Sequence, residues 1–199
     1  MTEGMSLRPI FSVQKFKLQS VTQALVLALA VAFGAFVQAR AQSALIVAIG
    51  ADNVAGFGKG KHSGGVRPDQ AFPAQLQALL RAQGIDAQVT NAGAPGDTTP
   101  DILARLDSAV PHGTRLVILD KANGNDKKAG LKEAQHGDIQ EIKSRLSTRH
   151  IALLILPPWE DIPDAESNRD PDGHHFTAEG HAKIAAYLAP KVIAALQGQ

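Results

Sequence analysis

Ala44-Leu45-Ile46-Val47-Ala48-Ile49 is an unbroken apolar run closed by Gly50. A strand with one wet face alternates apolar and polar residues, so an unbroken run needs cover on both faces. Residues 115–119 and 151–156 read as further strands, the second stopped by Pro157-Pro158, and residues 86–90 as a short one. Helical spacing separates these segments. Phe72, Leu76, Leu79 and Leu80 mark a helix over 72–83 that Gly84 ends. Thr99 is expected to cap a helix carrying Ile102, Leu103 and Leu106 on one face. Residues 131–146 and 177–196 read as two further helices. Buried strands alternating with helices predict an α/β protein, a three-layer α/β/α sandwich around a central parallel sheet of four strands.

The first 41 residues read differently. Arg8, Lys15 and Lys17 precede an apolar run over 24–37, and Ala39-Arg40-Ala41 follows as a small-x-small cleavage signal. This is the pattern of a secretory signal peptide, with an uncleaved anchor as the alternative. The expected organisation is a leader over 1–41 and one domain over 42–199, periplasmic or secreted, with no stable membrane span after processing. The leader carries four of the 20 basic residues and one of the 19 acidic ones, so the mature part has 16 against 18. No basic stripe remains to suggest nucleic acid. The absence of cysteine excludes disulfides and thiolate chemistry.

In parallel α/β sheets chemistry collects at the carboxyl ends of the strands. Polar clusters fall there: Asp52 after the first strand, residues 91–99 after the second, 123–126 after the third and 157–175 after the fourth. Within the last cluster Asp172-Gly173-His174-His175 places a carboxylate three residues before a histidine, the spacing of an acid that orients a catalytic base.

Four blocks in order resemble the GDSL-type hydrolases of the SGNH superfamily: Gly50-Ala51-Asp52-Asn53-Val54-Ala55-Gly56, Asn91-Ala92-Gly93-Ala94-Pro95-Gly96-Asp97-Thr98, Asn123-Gly124-Asn125-Asp126 and Asp172-Gly173-His174-His175. The resemblance implies a flavodoxin-like fold in a minimal version. It also implies hydrolysis of acyl esters or thioesters of small molecules, without cofactor or metal. It puts Asp52 at the family's nucleophilic serine, the N–H of Gly96 and the amide of Asn125 in the oxyanion hole, His175 as the base and Asp172 as its orienting acid.

The departures shape the functional expectation. A carboxylate attacking an ester carbonyl would have to expel an alkoxide to give an anhydride, whereas aspartate nucleophiles succeed with other electrophiles. Asp52 is also expected to put an oxygen where the oxyanion forms. The readings left open are a weakened or altered hydrolase, with Asp52 or His175 activating water, an unusual substrate, or an inactive crevice that binds an acyl, glycan or protein ligand. Asn123 replaces a family glycine, and the approach through Asp120-Lys121-Ala122 is one residue long, which bears on the aim of Asn125. The Gly- and Lys-rich stretch 56–65 lacks the Ser or Thr of a phosphate loop and reads as a cationic rim of the crevice. His181 is expected on the exposed face of the last helix, and Trp159 either against the pocket or at the core edge.

Overall fold

A computed structural model describes residues 43–60 and 63–198; the expected leader lies outside them. Four strands form one sheet in the order β2-β1-β3-β4, where β1 is Ala44–Gly50, β2 Ala87–Gly93, β3 Thr114–Leu119 and β4 Ala152–Ile155. Every pairing is parallel. The α/β sandwich is the fold expected from the unbroken apolar strands.

The pleat explains the layers. Along β1, Ile46 and Ala48 face one core with Leu116 and Ile118, while Val47 and Ile49 face another with Val117 and Leu119. The first core is covered by α2 (Phe72–Ala82) and α7 (Ala178–Gln197), through Phe72, Leu76, Leu80, Ile184 and Leu188. The second is covered by α3 (Thr99–Ala104), α4 (Leu106–Ala109) and α6 (Ala134–Thr148), through Ile102, Leu106, Ile142 and Leu146. Each such fully buried aliphatic side chain contributes about 1.5–3 kcal/mol.

Two short helices complete the site end of the sheet, α1 (Asp52–Ala55) and α5 (Asn123–Ala129). The second forms although Asn-Gly-Asn-Asp has turn chemistry. Several boundaries also differ. β2 runs on to Gly93, since its last residues pair with Asn91↔Ala48 to Gly93↔Gly50 partners on β1 despite their polarity. α6 begins at Ala134 rather than 131. The cap of α3 is Thr98, whose hydroxyl accepts from the Asp101 N–H while the Asp101 carboxylate accepts from the Thr98 N–H at 2.9 Å. Thr99 instead points inward and is fully buried.

His181 overturns its expected place. It lies on the buried face of α7, fully covered, where its Nδ1 accepts the Phe72 N–H at 3.2 Å. That N–H begins α2 and has no partner within its own helix, so the imidazole serves as a long-range cap. Burial, with the His175 charge nearby, pushes His181 down to about 4. No helix among the described residues is long and apolar enough to cross a membrane.

Candidate active site

β1 ends at Gly50, where any side chain would collide with Val54 Cγ2 at 2.5 Å and Asp120 Cβ at 2.6 Å. The chain turns at Ala51 and enters α1 with Asp52 as its first residue. Behind α1 stands Gly93, at which an added Cβ would fall 2.1 Å from the Ala55 nitrogen. The missing side chain lets the end of β2 press on α1 and thereby sets where Asp52 projects.

After β2 the chain makes a tight turn, closed by the Asp97 N–H donating to the Ala94 carbonyl at 3.1 Å. Pro95 and Gly96 fill the two central positions, and Gly96 has φ +85°. That is the pattern of a type II turn, which admits little but glycine at its third position. Arg105 braces the turn, donating to Asp97 Oδ2 at 2.7 Å, to the Ala92 carbonyl at 2.8 Å and to the Gly50 carbonyl at 3.0 Å. The Gly96 N–H consequently faces Asp52 and donates to its Oδ2 at 3.1 Å.

Asn125 arrives from α5. The longer approach does not displace it: Ala122 takes up the extra residue in a left-handed conformation, φ 54°. Asp126 anchors the helix from inside, accepting the Thr99 N–H at 2.8 Å and the Thr99 hydroxyl at 2.6 Å. Asn125 Nδ2 then donates both to the Asp97 carbonyl at 2.9 Å and to Asp52 Oδ2 at 3.0 Å. Two donors thus converge on one carboxylate oxygen.

On the other side of Asp52 stands the acid–histidine pair. Asp172 Oδ1 accepts the N–H groups of His174 at 2.8 Å and His175 at 3.0 Å, and its Oδ2 meets His175 Nδ1 at 2.5 Å. Burial works to raise the Asp172 carboxyl, but the two backbone donors and the His175 ring outweigh it and hold it well below the usual carboxylate range. With Nδ1 committed to Asp172, Nε2 faces Asp52 Oδ1 at 3.9 Å. That is beyond hydrogen-bond reach. His175 is only 3 % exposed, whereas the Asp52 side chain is 24 % exposed and reachable from solvent.

All five residues singled out in the sequence therefore meet at one end of the sheet. Two crevices flank Asp52. One, about 280 Å³, is lined by Lys59, Gly96, Asn125, Lys128, His174 and His175 among others. The other, about 200 Å³, runs along Asp120, Leu156, Pro157, Pro158 and Trp159. Trp159 meets both expectations for it, since its ring also packs edge-on against the core residue Phe176 with centroids 5.4 Å apart. Asp120, half-buried beside Asp52, is pushed up to about 6 by burial, against hydrogen bonds from the Ala122 and Ala51 backbones and with the Asp52 charge adding to the rise.

Sequence reasoning missed Arg105, Asp120 and Asp126 as members of the site, whereas Lys59 lines the crevice as the expected cationic rim does. Asp126 follows Asn125 directly, so its position was a signal. Arg105 had none, because its three acceptors, on β1, on β2 and in the turn after β2, come together only in the fold.

A three-layer sandwich with an acid–histidine pair facing two convergent donors has the geometry of an acyl-transfer site. No protein-family model matches the chain, and no curated protein matches it in sequence. Solved structures do, 45 chains of them. TesA superposes with a TM-score of 0.64 at 19 % identity, over 76 % of this chain and 99 % of that one. AlinE4, an SGNH-hydrolase family esterase, gives 0.54 at 26 % identity over 79 % and 99 %. The psychrotrophic esterase EstA from Pseudoalteromonas sp. gives 0.64 at 15 % identity over 77 % and 98 %. The chain has the fold of these three proteins, an SGNH-hydrolase family esterase among them.

Proposed function

We propose that this chain is an exported SGNH-type hydrolase of ester or thioester bonds in small molecules, altered by the aspartate at position 52. His175 is its general base, Asp172 orients that base, and the Gly96 N–H with the Asn125 amide receives the developing oxyanion. The observation that carries the reading is the convergence of those two donors, at 3.1 and 3.0 Å, on one oxygen beside the His175–Asp172 pair. Donors fixed in advance at that distance are what a tetrahedral intermediate requires. The esterase names of the structural neighbours support the substrate class, and the leader over 1–41 supports export.

A second reading has its own observation. Asp52 Oδ2 occupies the oxyanion position, so an external ester carbonyl must displace it before it can be activated. On that account the crevice binds an acyl, glycan or protein ligand without turning it over.

One experiment separates the two. Wild-type protein and the variants Asp52→Ser and Asp52→Ser/His175→Ala are assayed with p-nitrophenyl acyl esters of short and long chain and with a fluorophosphonate probe. Asp52→Ser should gain probe labelling and at least about 100-fold in ester hydrolysis over wild type, and His175→Ala should remove both gains. A folded Asp52→Ser protein that stays inert with every ester and unlabelled selects the binding reading.

A further inference from the structure

We propose that Asp52 is itself a covalent nucleophile, directed at saturated carbon: the wild-type protein displaces an anionic leaving group such as halide from an alkyl substrate and then hydrolyses the resulting ester. The proposal rests on the roles given above to His175, Asp172, Gly96 and Asn125, and it identifies the ester they act on as one formed on the protein.

The two oxygens of Asp52 are in unlike environments. Oδ2 is held by two donors, which fixes the carboxylate plane. Oδ1 forms no hydrogen bond among the described residues and looks toward His175 Nε2 across 3.9 Å. A carboxylate pinned by one oxygen and bare at the other is prepared for attack through the bare one. At an acyl carbon such attack leads to an anhydride and an expelled alkoxide. At saturated carbon it leads to an ordinary ester, and the leaving group can be a weakly basic anion. The crevice on this side of Asp52 supplies cations for that anion. Lys59 lies over Gly96, its Nζ 2.7 Å from where a Cβ would stand, and Lys128 lines the same space. A volume of about 280 Å³ admits a short alkyl chain.

The steps balance with water as the only further reactant. First, an Oδ1 lone pair forms the C–O bond as the carbon–halogen bond breaks, giving an alkyl ester of Asp52 and a halide ion. Second, a water between the ester and His175 gives its proton to Nε2 and attacks Cγ. A gap of 3.9 Å suits this, since one water about 2.8 Å from each group spans it. The negative charge of the tetrahedral intermediate develops on Oδ2, where the Gly96 and Asn125 donors already sit. Collapse expels the alcohol, whose oxygen was Oδ1 and which takes the proton of the new Cγ hydroxyl, and so restores the carboxylate with one oxygen from water. His175 returns its proton to solvent. What reads as product mimicry in an esterase is ground-state placement of the future oxyanion in this reaction.

The probe is n-butyl bromide. Wild-type protein should release bromide and butanol over repeated turnovers. A single turnover in heavy-oxygen water should put the heavy oxygen in the Asp52 peptide and leave the alcohol unlabelled. His175→Gln should stop after one bromide per chain, with a butyl group on Asp52 located by peptide mass spectrometry. Asp52→Asn should do neither. Lys59→Ala should slow bromide release about fivefold. Circular dichroism confirms that each variant is folded. Heavy oxygen in the first-turnover alcohol, alkylation at His174 or His175 rather than Asp52, or no bromide release by folded wild type with no adduct in His175→Gln each overturns the proposal. The outcome for Asp52→Ser keeps the two readings apart. If that variant is an esterase while wild type leaves the bromide untouched, only the alkyl chemistry fails; if it is also inert, the assignment of base and donors fails with it.

Discussion

His181 and Asp120 should oppose each other in acid, and the opposition can be measured. His181 has a folded value near 4 against an ordinary 6.5 because the charged ring would be buried and would face His175. Between those values the unfolded chain binds a proton that the folded protein refuses, so its contribution is complete above pH 6.5 and is lost as pH falls toward 4. At about 1.36 kcal/mol per pH unit the loss is about 3 kcal/mol. Asp120 runs the other way. Its folded value near 6 lies above the ordinary 3.8, so the folded protein holds a proton that the unfolded chain has released, and stability grows as pH falls from 6 to 3.8. That gain is also about 3 kcal/mol at most, reduced by the partial exposure of the carboxyl. In wild type the two nearly cancel. His181→Asn keeps an acceptor for the Phe72 N–H while removing the titration, and Asp120→Asn removes the carboxyl. Urea unfolding at pH 6.5 and pH 4 should show His181→Asn gaining about 3 kcal/mol relative to wild type on acidification and Asp120→Asn losing up to about 3 kcal/mol. Asp172 does not intrude, because its lowered value costs stability only below the ordinary carboxylate range. Difference curves of the same sign, or both flat, would refute the reasoning.

Three further outcomes follow from the same geometry and a fourth from the expected leader. In the Asp52→Ser background, Asn125→Ala should cost about 100- to 1,000-fold in kcat for ester hydrolysis, since one of two convergent donors is removed. Gly93→Ala should destabilise the fold by more than about 2 kcal/mol in thermal or urea unfolding, because its Cβ would fall 2.1 Å from the Ala55 nitrogen; an unperturbed Tm would show that α1 is not wedged there. Thr98→Ala should cost about 1 kcal/mol through loss of the α3 cap, whereas Thr99→Ala, which removes a buried hydroxyl donor from the Asp126 carboxylate, should cost more. N-terminal sequencing of the exported protein should begin at or near Gln42, and recovery of the intact leader on soluble cytoplasmic material would remove the case for export.

The sequence by itself determined the layers of this protein. Unbroken apolar strands such as 44–49 leave no wet face, helices of the right period lie between them, and only a covered parallel sheet reconciles the two. It also named the five residues that gather at the strand ends, because short-range patterns such as Asp172-x-x-His175 carry their chemistry within a few residues. Tertiary structure alone decided what those residues do to one another. The burial of His181 depends on a backbone N–H 109 residues away, and the aim of Asn125 depends on Ala122 adopting a left-handed turn and on Asp126 gripping Thr99. Above all, whether Asp52 would point to solvent or into the donors was a question of where Gly93 lets α1 sit and how Arg105 braces the Gly96 turn. Local preference is written in neighbouring residues, but the position of one carboxylate oxygen is set by packing among segments that meet only after the chain has folded.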